Sequence, residues 1–248
     1  MLYKLEGIVI RSMDYGENNK IIAIYTRHNG KMSIMVRGAK KMNSRFSSVT
    51  QIFTHGEFVL FKTSSMGTLN QSETLESHRK LRENLHMSAY SAYVVELIDR
   101  IVPELDANEM MFEQLKASLE AIESNKDPAI VLNIMEMKML AIAGYLPQLD
   151  ECVSCNAHDG EMGISITQGG VLCAKCFYKD NQLFRISAST LKMLRLFQRM
   201  DLRRLGAIEV KDETKKQLKL IMRAFMDHFI DIRLKARGFL DQMDKYEL

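Results

Sequence analysis

Four cysteines are the residues whose type and spacing point most directly to chemistry. Cys152, Cys155, Cys173 and Cys176 form the pattern C-x2-C-x17-C-x2-C. Each Cys-x2-Cys turn lets two thiolates converge on one metal, and two such pairs at this separation read as a four-thiolate zinc site. Gly163–Thr167 and Gly169–Leu172 read as a hairpin that carries the second pair to the first. Four sulfurs complete a tetrahedron and leave no position for water, so one structural Zn2+ is expected, holding a segment over 150–180 that is too small to fold alone. His158 is surplus to that set. Two disulfides are the competing arrangement, but Met1–Glu6 lacks a basic stretch followed by an apolar one, so a reducing, cytoplasmic setting is expected.

The second constellation is basic. Arg37-Gly38-Ala39-Lys40-Lys41, followed by Arg45-Phe46, gathers four cations near an aromatic ring at the end of an expected strand. Such a loop suits phosphate tracking, with rings available to stack on bases. Solubilising surface charge is the plainer alternative for these residues considered alone. No phosphate-binding glycine loop, H-E-x-x-H helix, nucleophile elbow or calcium loop occurs, and the six histidines form no cluster with metal-ligand spacing. Glu104, Asp106 and Glu109 flank a helix start, where carboxylates favour the helix dipole. The weight falls on a binding protein and not an enzyme.

These residues need elements to position them. Up to about residue 78 the chain reads as strands. Leu5, Gly7 and Val9 alternate with Glu6, Ile8 and Ile10, and Lys20–Thr26 and Lys31–Arg37 flank Asn29-Gly30, which suits a type I′ hairpin turn. In the second arm Met32, Ile34 and Val36 share one face. Glu57–Thr63 and Leu69–Leu75 add two more strands. Five short strands without room for a parallel helical crossover suit a small OB-type barrel, with an SH3-like barrel fitting the same count.

From Arg79 the period becomes helical. One helix is expected from Leu81 to Val102, a second over Met111–Ile122, a third from an Asp127 cap and Pro128 to Gly144, a fourth over Leu191–Leu205 and a fifth over Leu218–Ile232. The fold class is therefore α+β: an OB barrel over 1–78, then a helical domain over 79–248 with the cysteine segment inserted. The 248 residues carry a formal charge of +3, unevenly spread. Residues 1–80 hold twelve Lys/Arg against six Asp/Glu, 81–150 five against twelve, and 151–248 seventeen against thirteen. Four thiolates around one divalent ion would lower the total to about +1. Nucleic-acid affinity would then have to come from the first eighty residues.

Glu6–Lys20 (EGIVIRSMDYGENNK), His28–Lys41 (HNGKMSIMVRGAKK), Gly144–Pro147 (GYLP), Leu194–Phe197 (LRLF), Asp201–Gly206 (DLRRLG) and Arg237–Met243 (RGFLDQM) resemble the RecO family of bacterial recombination mediators, in order and across the whole chain. That resemblance implies an OB-fold, a helical domain and an embedded zinc segment. It implies a non-catalytic role in DNA repair: binding single- and double-stranded DNA, annealing complementary strands and, with RecR, loading RecA onto strands coated by single-strand-binding protein. It also implies DNA contacts on the basic barrel face at Arg37, Lys40 and Lys41, with Arg45 added here by proximity, and a nucleoid-associated cytoplasmic location. A site for the acidic, apolar-ended tail of single-strand-binding protein is expected too, for which Arg195, Arg199, Arg203 and Arg204 qualify by composition. The alternative reading is a zinc-stabilised protein-interaction scaffold that does not itself bind DNA.

Overall fold

The computed structural model describes residues 2–62 and 66–246, so Thr63, the expected end of one strand, lies outside the described residues. By its internal contacts the chain divides into two compact units, Met1–Pro128 with Leu234–Leu248, and Ala129–Arg233. Among the described residues no helix is long and apolar enough to cross a membrane.

In the first unit β1 (Leu2–Tyr15), β2 (Asn19–Thr26), β3 (Gly30–Val36), β4 (His55–Lys62) and β5 (Gly67–Glu76) close a barrel in the order β1-β2-β3-β5-β4, with β4 pairing back onto β1. Only the β3–β5 pair among these neighbours is parallel, which is the topology of an OB-fold. Leu5, Val9, Ile22, Ile24, Ile34, Val36, Phe58, Leu60 and Leu69 fill the interior, and Ala39, Phe46 and Val49 from the long β3–β4 loop pack with them.

Two local expectations change. The strict alternation along β1 breaks because the register shifts between Val9 and Arg11: Val9 pairs with Ile24, and Arg11 pairs with Ala23. The extra residue of this bulge, Ile10, lets Val9 face inward while Arg11 emerges on the outer face. The β2–β3 turn is not type I′. Thr26 pairs with Gly30 across three residues, and Gly30 has a positive φ whereas Asn29 does not. Thr26 supplies the turn chemistry instead, its hydroxyl donating to the Gly30 carbonyl at 2.8 Å and accepting the Asn29 N–H at 2.9 Å. Gly30 has a second reason to be glycine: a Cβ there would come within 2.6 Å of the Leu105–Asp106 backbone.

The expected single helix over 81–102 is two, α1 (Arg79–Glu83) and α2 (Leu85–Ile101). Asn84 between them is extended, and its side chain accepts the Met87 N–H at 3.0 Å, so an N-cap interrupts what is periodically a continuous apolar stripe. Next comes α3 (Glu109–Glu123), capped by Asn108. At the chain end α7 (Lys235–Tyr246), not anticipated from sequence, packs on α2. The Glu96 carboxylate accepts the N–H groups of Lys235 and Ala236 at 2.9 and 2.8 Å, so a side chain of α2 caps α7.

Barrel and helices meet at Arg27 in the β2–β3 turn. Its Nε and Nη2 donate to the two oxygens of Glu6 at 2.6 and 2.9 Å, and its Nη1 reaches Glu109 at 3.2 Å and also Glu113 on α3. The guanidinium lies 4.6 Å from the Phe112 ring centre, and His55 Nε2 is 2.9 Å from Glu6 Oε1. Hydrogen bonds from Arg27, joined by His55, hold the Glu6 carboxyl down to about 2 although partial burial opposes this. Burial pushes the His55 imidazole below its ordinary range.

In the second unit α4 (Pro128–Ile142) is buried along most of its length, Asn133 and Glu136 included, so its apolar residues surround the helix and do not form a stripe. Gly144, at positive φ, follows its end. The small sheet β6 (Met162–Ser165), β7 (Gly170–Cys173) and β8 (Phe184–Arg185) precedes α5 (Ala188–Arg199) and α6 (Asp212–Phe229), which pack together. Leu205 and Ile232 fall beyond these two helices, so the expected fourth and fifth helices end earlier than their apolar spacing implied.

Glu6 titrates near its ordinary 4.5 when unfolded and about 2 when folded. Its contribution is thus complete above pH 4.5 and is lost as pH falls from there through 2, amounting to roughly 2 kcal/mol after solvent screening. Arg27→Met should lower the unfolding free energy by about 3 kcal/mol and flatten the acid limb of the stability curve over that window. Denaturant unfolding across the pH series measures both, and an unchanged acid limb would contradict the assignment.

Candidate nucleic-acid interface and metal centre

The β3–β4 loop is anchored at the start of its basic stretch. Gly38, at positive φ, donates its N–H to Asn19 Oδ1 at 2.9 Å, and the Lys40 N–H donates to the Asn18 carbonyl at 3.0 Å. The β1–β2 turn therefore holds residues 38–40. Ala39 and Phe46 point into the barrel while Arg37, Lys40, Lys41 and Arg45 are exposed, so buried and charged positions interleave and display the cations at the barrel mouth.

The four cations have different surroundings. Lys40 is ion-paired to Asp14 at 2.9 Å, and the Lys40 hydrogen bond holds the Asp14 carboxyl below its usual range. Arg45 turns to β5, donating to the Asn70 carbonyl at 3.0 Å and lying 4.7 Å over the Phe46 ring. There it borders a groove of about 510 Å³ whose lining includes Glu57 and Glu73. Phe46, which the sequence offered as a base-stacking ring, is buried in the barrel. The ring exposed beside the loop is Tyr15, 53% accessible and paired with Asn19 across the turn that holds Gly38. Sequence reasoning missed Asp14, Tyr15 and Asn19. The signal available was the turn-prone run Asp14-Tyr15-Gly16-Glu17-Asn18-Asn19 that connects β1 to β2.

The four cysteine sulfurs lie within 4.8 Å of one another, and Cys155 and Cys173 are 3.5 Å apart. A tetrahedron with metal–sulfur bonds of about 2.3 Å has edges of about 3.8 Å, so the cluster has the size of a four-thiolate site. The cysteines are free thiols, three of them buried. His158 stands apart, exposed, 3.5 Å from Glu151.

The backbone explains the convergence. Residues 148–153 run beside β7: the Gln148 N–H donates to the Gly169 carbonyl, the Val171 N–H donates to the Gln148 carbonyl, and the Val153 N–H donates to the Val171 carbonyl, each at 2.9 Å. Gly170 is required there, since a Cβ would sit 2.3 Å from the Gln148 carbonyl oxygen. Cys173 ends β7, and Cys176 follows in a 3-10 turn, Ala174–Lys179. Burial opposes ionisation of Cys152, yet N–H groups of Cys173, Ser154 and Cys155 bring its thiol down to about 6. At Cys155 an N–H bond from Ala157 is outweighed by sharing with the three other sulfurs, which pushes its thiol up to about 12. Thiols this close compete for protons unless a cation neutralises them, which is the chemistry of a metal-binding donor set.

Arginines of α5 hold the approach to this site. Arg195 Nε donates to the Leu149 carbonyl at 2.8 Å and Arg199 pairs with Asp150 at 2.8 Å, while Arg203, beyond α5 in the 3-10 turn Leu202–Arg204, pairs with Asp201 at 2.6 Å. Three of the four arginines expected to receive an acidic tail are thus engaged within their own unit, Arg195 and Arg199 by acceptors in the turn into Cys152 and Arg203 by Asp201.

Two family models match the chain: "Recombination protein O N terminal" over residues 1–78 and "Recombination protein O C terminal" over residues 82–238. Curated relatives described as "DNA repair protein RecO" include those of Bacillus subtilis, 44% identical over 98% of this chain and 96% of the relative, and Halalkalibacterium halodurans, 42% identical over the same shares. One from Bacillus cereus is 40% identical over the full length of both.

A metal held by the four sulfurs predicts that a strong chelator makes residues 150–180 protease-sensitive while β1–β5 stay protected. Limited proteolysis read by mass spectrometry tests this, and an unchanged cleavage pattern in 150–180 would contradict it.

Proposed function

The chain belongs to the RecO family of DNA repair proteins, and from that premise we propose that it is a non-catalytic recombination mediator that binds single- and double-stranded DNA through the mouth of its barrel and anneals complementary strands. The observation that carries this reading is the anchored loop, whose exposed Arg37, Lys40 and Lys41 alternate with side chains plugged into the barrel. Cations fixed on a rigid mouth contact phosphates without the cost of ordering a flexible loop. The exposed ring of Tyr15 beside them offers a surface on which a base can stack.

Residues 1–78 are the nucleic-acid-binding module in this reading, and 79–248 the helical part. One Zn2+ held by Cys152, Cys155, Cys173 and Cys176 stabilises the 150–180 segment and takes no part in a reaction. When bound, it neutralises the thiolates and fixes the two Cys-x2-Cys turns against each other. The family likeness supports RecR and the tail of single-strand-binding protein as partners, loading of RecA as the outcome, and a nucleoid-associated cytoplasmic location. Annealing would follow from electrostatics: strands neutralised on one basic mouth release counterions and come close enough for base pairing to select the match.

Fluorescence anisotropy with oligonucleotides of unrelated sequence tests the interface. Arg37→Ala and Lys41→Ala should each weaken binding similarly for every sequence and reduce the salt slope by about 0.7 on single strands. Lys40→Ala, which also removes the partner of Asp14, should lose less than either. Slopes unchanged in Arg37→Ala and Lys41→Ala would remove the loop from the interface.

A further inference from the structure

The outer face of β1–β2–β3 holds two more cations below the mouth, and both face acidic residues. The β1 bulge turns Arg11 outward opposite Ala23, Ala23 pairs with Ser33, and Lys31 lies two residues from Ser33 on the same face of β3. Small residues between two long cations leave a depression, and a cavity of about 370 Å³ is found there, lined by Arg11, Ala23, Lys31 and Ser33 on the barrel side. Its far wall is Asp99, Glu104 and Leu105, from the end of α2 and the segment after it.

Asp99 engages both cations. Its carboxylate lies 3.2 Å from Arg11, and its carbonyl accepts from Lys31 Nζ at 2.5 Å. The backbone of Lys31 also bridges to Glu104. The Asp99 side chain is only 13% exposed whereas that of Arg11 is 45% exposed. A nearly buried carboxylate is thus spent on a cation that solvent alone would satisfy, on a face of the kind that OB-folds use for oligonucleotides. Leu105, in the same segment, has a positive φ that disfavours a branched side chain, so the cover is held in a strained backbone.

We propose that Arg11 and Lys31 form a latent phosphate-binding pair, closed by the acidic Asp99–Leu105 cover and opened when a nucleic-acid phosphodiester displaces the Asp99 carboxylate. The proposal rests on the nucleic-acid reading above and extends its track from the barrel mouth down the outer face. A single strand seated at Arg37 and Lys41 places further phosphates along β1 and β3, where local concentration favours the exchange.

Binding of oligothymidylate, measured by anisotropy over a salt series, tests it. Asp99→Asn should tighten binding about three- to tenfold at low salt and steepen the slope by about 0.7, the value of one added phosphate contact on a single strand. Arg11→Ala combined with Asp99→Asn should return both quantities to parental values. In the unsubstituted protein, saturating oligothymidylate should speed amide hydrogen exchange over 102–106 as the cover lifts. An unchanged slope in Asp99→Asn, a gain that survives Arg11→Ala, or unaltered exchange over 102–106 would overturn the latent pair while parental binding persisted. Absence of salt-dependent binding by the parental protein would overturn the nucleic-acid reading itself.

Discussion

The interaction on which the rest of the first unit depends is the grip on Arg27. A single guanidinium in a β-turn is shared by a carboxylate of β1 and two carboxylates of α3, with an aromatic ring beneath it. Removing Arg27 would leave the partly buried Glu6 and Glu113 carboxylates without their shared cation, so the arrangement holds strongly once formed and fixes where α3 can sit. Tyr25 beside it, fully buried next to Phe112, has its phenol pushed up to about 12 by burial and by Asp106, which marks the same junction as poorly solvated.

That grip also decides where a polyanion can approach. Arg27 lies at one end of the β2–β3 hairpin, and the basic loop begins at the other end, after Val36. The acidic residues of α3 are therefore docked at the end away from the loop, and Asp99 and Glu104 of the same unit reach along the outer face. A nearly neutral protein acquires a polar barrel in this way: cations at the mouth, acids at the base, and a cavity between them where the two signs meet. Local charge and not the total of +3 governs the approach of phosphate.

Much of this was legible in the sequence, for identifiable reasons. The cysteine pattern announces its geometry because metal coordination demands close spacing within each pair. The barrel strands show as β-branched runs between turn residues. What was not legible depended on pairing across the chain. Nothing local marks Ile10 as a bulge, since its neighbours are equally apolar, yet that one residue decides which way Arg11 faces. Asn84 lies within a continuous apolar stripe, and only its extended backbone and capping bond reveal that α1 and α2 are separate. Phe46 reads as a free aromatic until the barrel interior claims it. Arg195 and Arg199 read as a surface row because Leu149 and Asp150, their acceptors, lie some 45 residues away in sequence.

The central claim is that nucleic acid meets this protein at the barrel mouth and is kept from the acidic end. Photo-crosslinking of a single-stranded oligonucleotide carrying reactive bases, with the linked peptides identified by mass spectrometry, addresses it most directly. The account predicts adducts within residues 11–15 and 37–45, with Tyr15 among them, and none on α3. Adducts concentrated on 109–123, or confined to 129–233, would contradict it.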